Sequence, residues 1–169
     1  MTMVTAERAA DPSTSPSARL IFPGLGRLYA TMTPVFFAIL RIWFGLTVVT
    51  HGYPKLFRVP HGEIADPYSN VIHVIAAKLA LPAPDLWGML VTGVESIGGL
   101  LLALGLATRI VAPMIAIQML VIALGVLWPA WAWTEHGMEY PLLMSALAGY
   151  FSFAGAGPYS LDRLIGREI

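Results

Sequence analysis

Apolar residues run in long stretches along this chain, and charges interrupt them at few points. The longest uncharged runs are residues 110–134 and 140–161, each able to cross a hydrocarbon layer that needs about 20 residues of helix. Two further stretches, 34–53 and 86–106, reach that length if each carries one charge, Arg41 in the first and Glu95 in the second. The pattern predicts four spans, at 33–53, 86–107, 110–131 and 139–157. Backbone groups find no water inside a bilayer, so a helix is the natural solution. A barrel needs alternating segments, and Met119 to Leu124 does not alternate. Pro34 and Pro141 sit where a first helical turn tolerates a missing N–H. Pro54, Pro129 and Pro158 close spans one, three and four, and Pro113 sits slightly inside the third. The short link at Thr108-Arg109 predicts that spans two and three form a tight antiparallel hairpin.

Between spans one and two lie about 30 residues, more than a bare turn needs. There Val71, Ile72, Ile75, Ala76 and Leu79 share one helical face, which suits a short helix lying along the outer membrane surface. Residues 1–25 contrast with all of this. Rich in Ala, Ser, Thr and Pro and without an apolar core of 7–15 residues, the segment does not read as a secretory signal but as a disordered tail. The expected organisation is therefore a tail at 1–25, an all-α membrane domain at 26–163 built as a four-helix bundle, and a C-terminal tail at 164–169.

Composition sharpens the reading. Only 12% of the 169 residues are charged and 57% are hydrophobic, against about 25% charged in soluble domains, and the mean hydropathy is +0.71. So few charges cannot solvate the surface of an ordinary soluble domain. Ten basic residues balance ten acidic ones, and no basic face suggests nucleic-acid binding. Cysteine is absent, which removes disulfides, thiolate metal sites and a thiol nucleophile from this chain. With four spans, Arg8, Arg19, Arg27, Arg109, Arg163 and Arg167 fall on one side and Lys55, Arg58 and Lys78 on the other. The basic side is expected to be cytoplasmic, with both termini there. Trp128, Trp131 and Trp133 then gather at the outer interface, which indoles favour.

Arg41 and Glu95 are the leading candidates for chemistry. Each lies eight or nine residues into its span, roughly 12–13 Å deep at 1.5 Å per residue, so antiparallel packing would bring both near the midplane. A lone charge there costs several kcal/mol, and a bidentate pair offsets much of that. The two are expected to meet, either lining a polar cavity or clamping the register of two helices. His51 lies ten residues beyond Arg41, at the outer boundary, where it can shuttle protons or simply bond a carbonyl at a helix end. Lys55 attracts an anion or snorkels toward head groups. Glu139 and Tyr140 open span four on the same side, where Glu139 also suits the helix dipole. An acid, an imidazole, an ammonium and a phenol thus could converge at one mouth. Arg109 sits in the cytoplasmic-side link.

The other histidines, His61, His73 and His136, fall in connecting segments, and only His51 nears a span, so haem ligation by this chain alone is not expected. No metal site is expected. Gly45, Gly93, Gly98, Gly99 and Gly105 read as close-packing positions, and Gly155 to Pro158 as a helix stop.

In order along the chain come Arg41 with His51-Gly52 and Lys55; Leu81-Pro82-Ala83-Pro84; Glu95-Ser96-Ile97-Gly98-Gly99 running to Gly105-Leu106-Ala107-Thr108-Arg109; and Glu139-Tyr140-Pro141-Leu142-Leu143 ending in Gly157-Pro158-Tyr159-Ser160-Leu161-Asp162. This succession, over residues 34–163, resembles the DoxX family of small bacterial four-helix membrane proteins. The resemblance implies a multi-pass protein of the bacterial cytoplasmic membrane and a link to redox chemistry, since relatives include a subunit of a thiosulfate:quinone oxidoreductase. It carries over the polar set Arg41, His51, Lys55, Glu95, Arg109 and Glu139. The expected role is a membrane subunit or partner of a quinone-linked oxidoreductase, with a quinone as the one cofactor implied and electrons supplied by a redox partner protein. A non-catalytic scaffold that anchors partner proteins is the alternative. Passage of small solutes is a weaker third, because four spans leave little room for alternating access without an oligomer.

Overall fold

The computed structural model describes residues 20–167, which contain helices and turns and no β-strand. The chain divides into two compact units, Met1–Thr33 and Pro34–Ile169. In the first, Pro23–Leu25 form a 3-10 turn that leads into helix α1 at Gly26. Thr31 and Thr33 donate back to the carbonyls of Arg27 and Tyr29 at 2.9 and 2.7 Å. The tail expected at 1–25 falls largely on residues 1–19, outside the described residues.

Helix α1 spans Gly26–Phe57, seven residues earlier and four later than the stretch expected from the apolar pattern. Pro54 does not end it. A proline fits helical φ and forfeits a single backbone bond, and the helix stops only at Arg58, whose φ of 52° is left-handed. Helix α2, Pro67–Val74, starts where Asp66 accepts from the Tyr68 and Ser69 N–H groups at 3.0 and 3.1 Å, a regular N-cap with proline in the first turn. It widens into a π-helical turn at Ile75–Leu79. The apolar face read from Val71, Ile72, Ile75 and Leu79 is put to use here. Ile72 packs against Gly88, Leu79 against Gly125, and Ile75 is buried.

The second apolar stretch consists of α3 (Pro84–Gly93), a π turn at Val94–Gly98, and α4 (Gly99–Leu104). After the tight turn 105–107 comes α5 (Thr108–Val121), which widens into another π segment at Ile122–Leu127. Arg109 therefore belongs to the first turn of α5 rather than to the link. Helix α6, Glu139–Ala154, packs along α5, and a short α7, Leu161–Ile165, follows. The first two residues of the expected C-terminal tail are thus helical, and residues 168–169 lie outside the described ones.

Among the described residues, three helical stretches are long and apolar enough to cross a membrane: Pro23–Phe57, Pro84–Leu104 and Thr108–Leu127. Helix α6 has 16 residues, about 24 Å at 1.5 Å per residue. One core joins these rods, made of Phe44 and Val48 from α1, Leu102 from α4, Val111, Ala112, Ile115 and Met119 from α5, and Met144, Ala148 and Phe151 from α6. Phe37 meets Phe151 edge to face and Phe44 stacks on it, with ring centroids 5.4 and 6.0 Å apart. Outward faces stay apolar, with Trp43 72% and Phe153 86% exposed, as a lipid-facing surface requires.

The crossing of α1 over the second stretch sets the register. A Cβ on Gly45 would lie 2.5 Å from the Ala103 nitrogen and 2.6 Å from the Gly99 oxygen, and one on Gly52 would lie 2.6 Å from the Glu95 carbonyl carbon. Small residues let two helix backbones approach this closely. The contact leaves Gly52 level with Glu95 and Arg41 level with Gly105, where a Cβ would lie 2.8 Å from the Arg41 Cζ.

Candidate functional site

That register decides which charges meet. Arg41, Gly45, Val48, Gly52 and Lys55 follow the three-four spacing of one helical face, so both cations of α1 face the same seam. Glu95, however, lies opposite Gly52, eleven residues from Arg41 or about 16 Å along the axis. The expected Arg41–Glu95 pair does not form. The four residues that α1 gains at its end amount to about one turn; the larger part of the offset comes from the Gly45–Gly99 and Gly52–Glu95 contacts, and Lys55 reaches the acid instead.

Lys55 Nζ forms an ion pair with Glu95 Oε2. Helical side chains lean toward the N-terminus, so the lysine stem reaches back along α1 to the level of Gly52. The other carboxylate oxygen, Oε1, accepts from Gln118 Nε2 of α5 at 2.7 Å. Glu95 is only 2% exposed, and each oxygen has a donor. It sits in the π turn 94–98, a widened coil that turns a side chain out of the regular ladder and recurs at functional sites. Beside it the hydroxyl of Ser96 is buried without a hydrogen-bond partner. His51, four residues before Lys55 and so on the same face, lies within electrostatic reach of Glu95, Lys55 and His61 and is itself exposed. The His51 and His61 rings are 6.5 Å apart in an edge-on arrangement. The result is a buried acid held by an ammonium and an amide, with an exposed imidazole next to it.

Arg41 serves a different purpose. Its guanidinium donates to the carbonyls of Ala156 and Tyr159, the latter at 2.6 Å, and it faces the carboxylate of Asp162. Asp162, 1% exposed, accepts from the N–H groups of Ala107 and Thr108 at 2.9 and 3.2 Å. Those are free donors at the start of α5, and an acid there suits the helix dipole. Arg41 and Asp162 together fasten the segment after α6 to the α4–α5 turn. Arg109 does a related job, donating to the Phe153 carbonyl at 2.9 Å at the end of α6, where a cation complements the last carbonyls.

Glu139 and Tyr140 do not join His51 and Lys55. Glu139 opens α6 as expected, but its carboxylate accepts from the Trp133 N–H at 2.8 Å within its own loop. Tyr140 lines a separate cavity of about 400 Å³ with Leu127, Trp133, His136, Gly137 and Pro141. Two members of the site escaped the sequence reading. Gln118 is an amide within the uncharged run 110–134, and that position is its signal. Asp162 stood in the final quoted motif without a role, although Ser160 before it caps α7 by accepting from the Arg163 N–H.

Comparison with known proteins adds one finding: the DoxX family model matches residues 36–128, more than half of the 169-residue chain. This covers the α1 seam, Glu95 and Gln118, and stops before α6. Neither the curated proteins nor the solved structures contain a match. With that match and with helices built to cross a bilayer, the chain belongs to the DoxX family and is a membrane protein.

Proposed function

We propose that this protein is a four-span subunit or partner of a quinone-linked oxidoreductase in the bacterial cytoplasmic membrane, with α6 as the fourth crossing. Both termini face the cytoplasm and α2 lies at the outer surface. The observation that carries the reading is Glu95, a carboxylate buried in an apolar seam, doubly hydrogen-bonded, and adjacent to an exposed imidazole. Intramembrane acids are costly and mark sites of function or proton relay.

The residues present fit a quinone head group. Lys55 and Gln118 offer donors for carbonyl oxygens, and the unpartnered Ser96 hydroxyl beside Glu95 is a further polar atom of the kind a ligand oxygen satisfies. Quinone reduction takes up two electrons and two protons, and the bound quinone supplies the electron-accepting chemistry. A redox partner protein supplies the electrons. His51, exposed beside the Glu95 carboxylate, exchanges protons with the outer surface, an arrangement suited to general acid–base work. Lys55 and Gln118 orient the carboxylate.

The test is thermal unfolding of the purified protein with and without a soluble quinone analogue. Wild type should be stabilised, and Glu95→Gln, which keeps the shape of the side chain, should fold and lose the shift. Loss in Tyr140→Leu with retention in Glu95→Gln would move the head group to the 400 Å³ cavity beside Trp133. No shift in wild type would overturn the quinone reading and leave the scaffold role.

A further inference from the structure

At the end of the molecule where Arg41 and Asp162 fasten the post-α6 segment, a second cavity of about 500 Å³ is lined by Gly157, Pro158, Asp162, Arg163, Gly166 and Arg167. Its walls are fixed from below. Asp162 is tied to the α5 N-terminus through both carboxylate oxygens and faces Arg41, so its charge is already committed to donors of the protein. Arg163 and Arg167 are different. Both are exposed, and the backbone brings them to one side, with the Arg167 N–H donating to the Asp162 carbonyl at 3.2 Å and Gly166, φ 78°, turning the chain. Two guanidinium groups at one cavity match the fork geometry of a phosphate.

The surroundings say which phosphate. Leu164 is 82% exposed, Ile165 61% and Tyr159 58%, apolar side chains that flank the cavity residues along the chain. The cavity lies level with the α4–α5 turn, where the apolar rods end and head groups begin. We infer that this cavity binds the phosphate of an anionic phospholipid, with the acyl chains lying against Leu164 and Ile165. Basic pockets at helix ends take anionic head groups in this way. The inference needs only that the chain is a membrane protein and is independent of any quinone.

The full chain, delipidated in neutral detergent, is titrated with phosphatidylglycerol or with phosphatidylcholine of the same acyl chains, and lipid binding is read by native mass spectrometry. Phosphatidylglycerol should bind at least about tenfold tighter, and the double variant Arg163→Gln/Arg167→Gln should lower its affinity about thirtyfold, given roughly fivefold per basic residue near an anionic surface. Lys78→Gln, a cation elsewhere, should change nothing, and each variant's unfolding midpoint reports whether it folds. Equal affinity for the two lipids would overturn the proposal. So would an undiminished double variant, a loss in Lys78→Gln of the same size, or full competition by equimolar inorganic phosphate, which would make the ligand a free anion.

Discussion

A carboxylate in an apolar seam needs a donor on each oxygen, and Glu95 meets that need with Lys55 on one and Gln118 on the other. Gln118→Leu removes the second donor and should cost roughly 1–3 kcal/mol, the range for orphaning a buried acceptor, measured as a lowered unfolding midpoint in detergent. Arg41 holds two carbonyls and faces Asp162. Arg41→Ala strands the two carbonyls and removes the charge that faces Asp162, and the loss should be about 3 kcal/mol, as for breaking a buried ion pair. Outside the membrane, Asp66 caps α2, and hydrogen bonds from the Ser69 side chain and from the Ser69 and Tyr68 N–H groups hold its carboxyl below the ordinary carboxylate range. A carboxyl whose folded-state pKa is lowered stabilises fully above its unfolded value and loses that contribution as pH falls through the lowered one. Exchange protection of the Tyr68 and Ser69 amides, corrected for intrinsic rates, should therefore decline only on acidification below that range, and Asp66→Asn should abolish the decline. At this scale the charged candidates were legible, because an ion in an apolar run stands out. Gln118 was not, because an uncharged amide barely disturbs hydropathy.

Between elements, the decisive feature is the crossing of α1 over α3–α4. Gly45, Gly52 and Gly99 remove the side chains that would hold the helices apart, and this close contact sets which residues lie level. Gly45→Ala should cost about 1–3 kcal/mol through overpacking, whereas Gly93→Ala, which meets nothing within 4 Å, should stay within about 1 kcal/mol of wild type. Thermal midpoints of the two variants check the contrast. The existence and order of the apolar rods could be read from residue pattern alone, as could the apolar face of α2, though not its packing against Gly88 and Gly125 in place of the membrane surface. Register could not. Pro54 reads as a stop, yet α1 continues through it to Phe57, and the close glycine contacts set Gly52 rather than Arg41 opposite Glu95, which leaves Lys55 as the partner of the acid. Helix ends are weakly encoded, and in an antiparallel pair each residue of error at an end becomes a residue of error in pairing.

For the molecule as a whole, the cation bias predicts an orientation that can be read chemically. The native chain has no cysteine, so single replacements report cleanly. In intact cells a membrane-impermeant thiol reagent should label Asn70→Cys and Thr134→Cys and spare Gly24→Cys; the reverse pattern would invert the topology. The family match to residues 36–128 covers the acid, its lysine and its amide, while the loop carrying Glu139 and the Trp-rich segment lie largely outside it. Polar character therefore divides into the Lys55–Glu95–Gln118 cluster in the α1 seam and a fastening at the opposite end built from Arg41, Asp162 and Arg109. A double-mutant cycle on Lys55 and Glu95, using Lys55→Met and Glu95→Gln, tests that division most directly. The predicted coupling is about 1 kcal/mol or more for Lys55 with Glu95 and near zero for Arg41 with Glu95 in the parallel cycle. Strong coupling of Glu95 to Arg41 and none to Lys55 would contradict it.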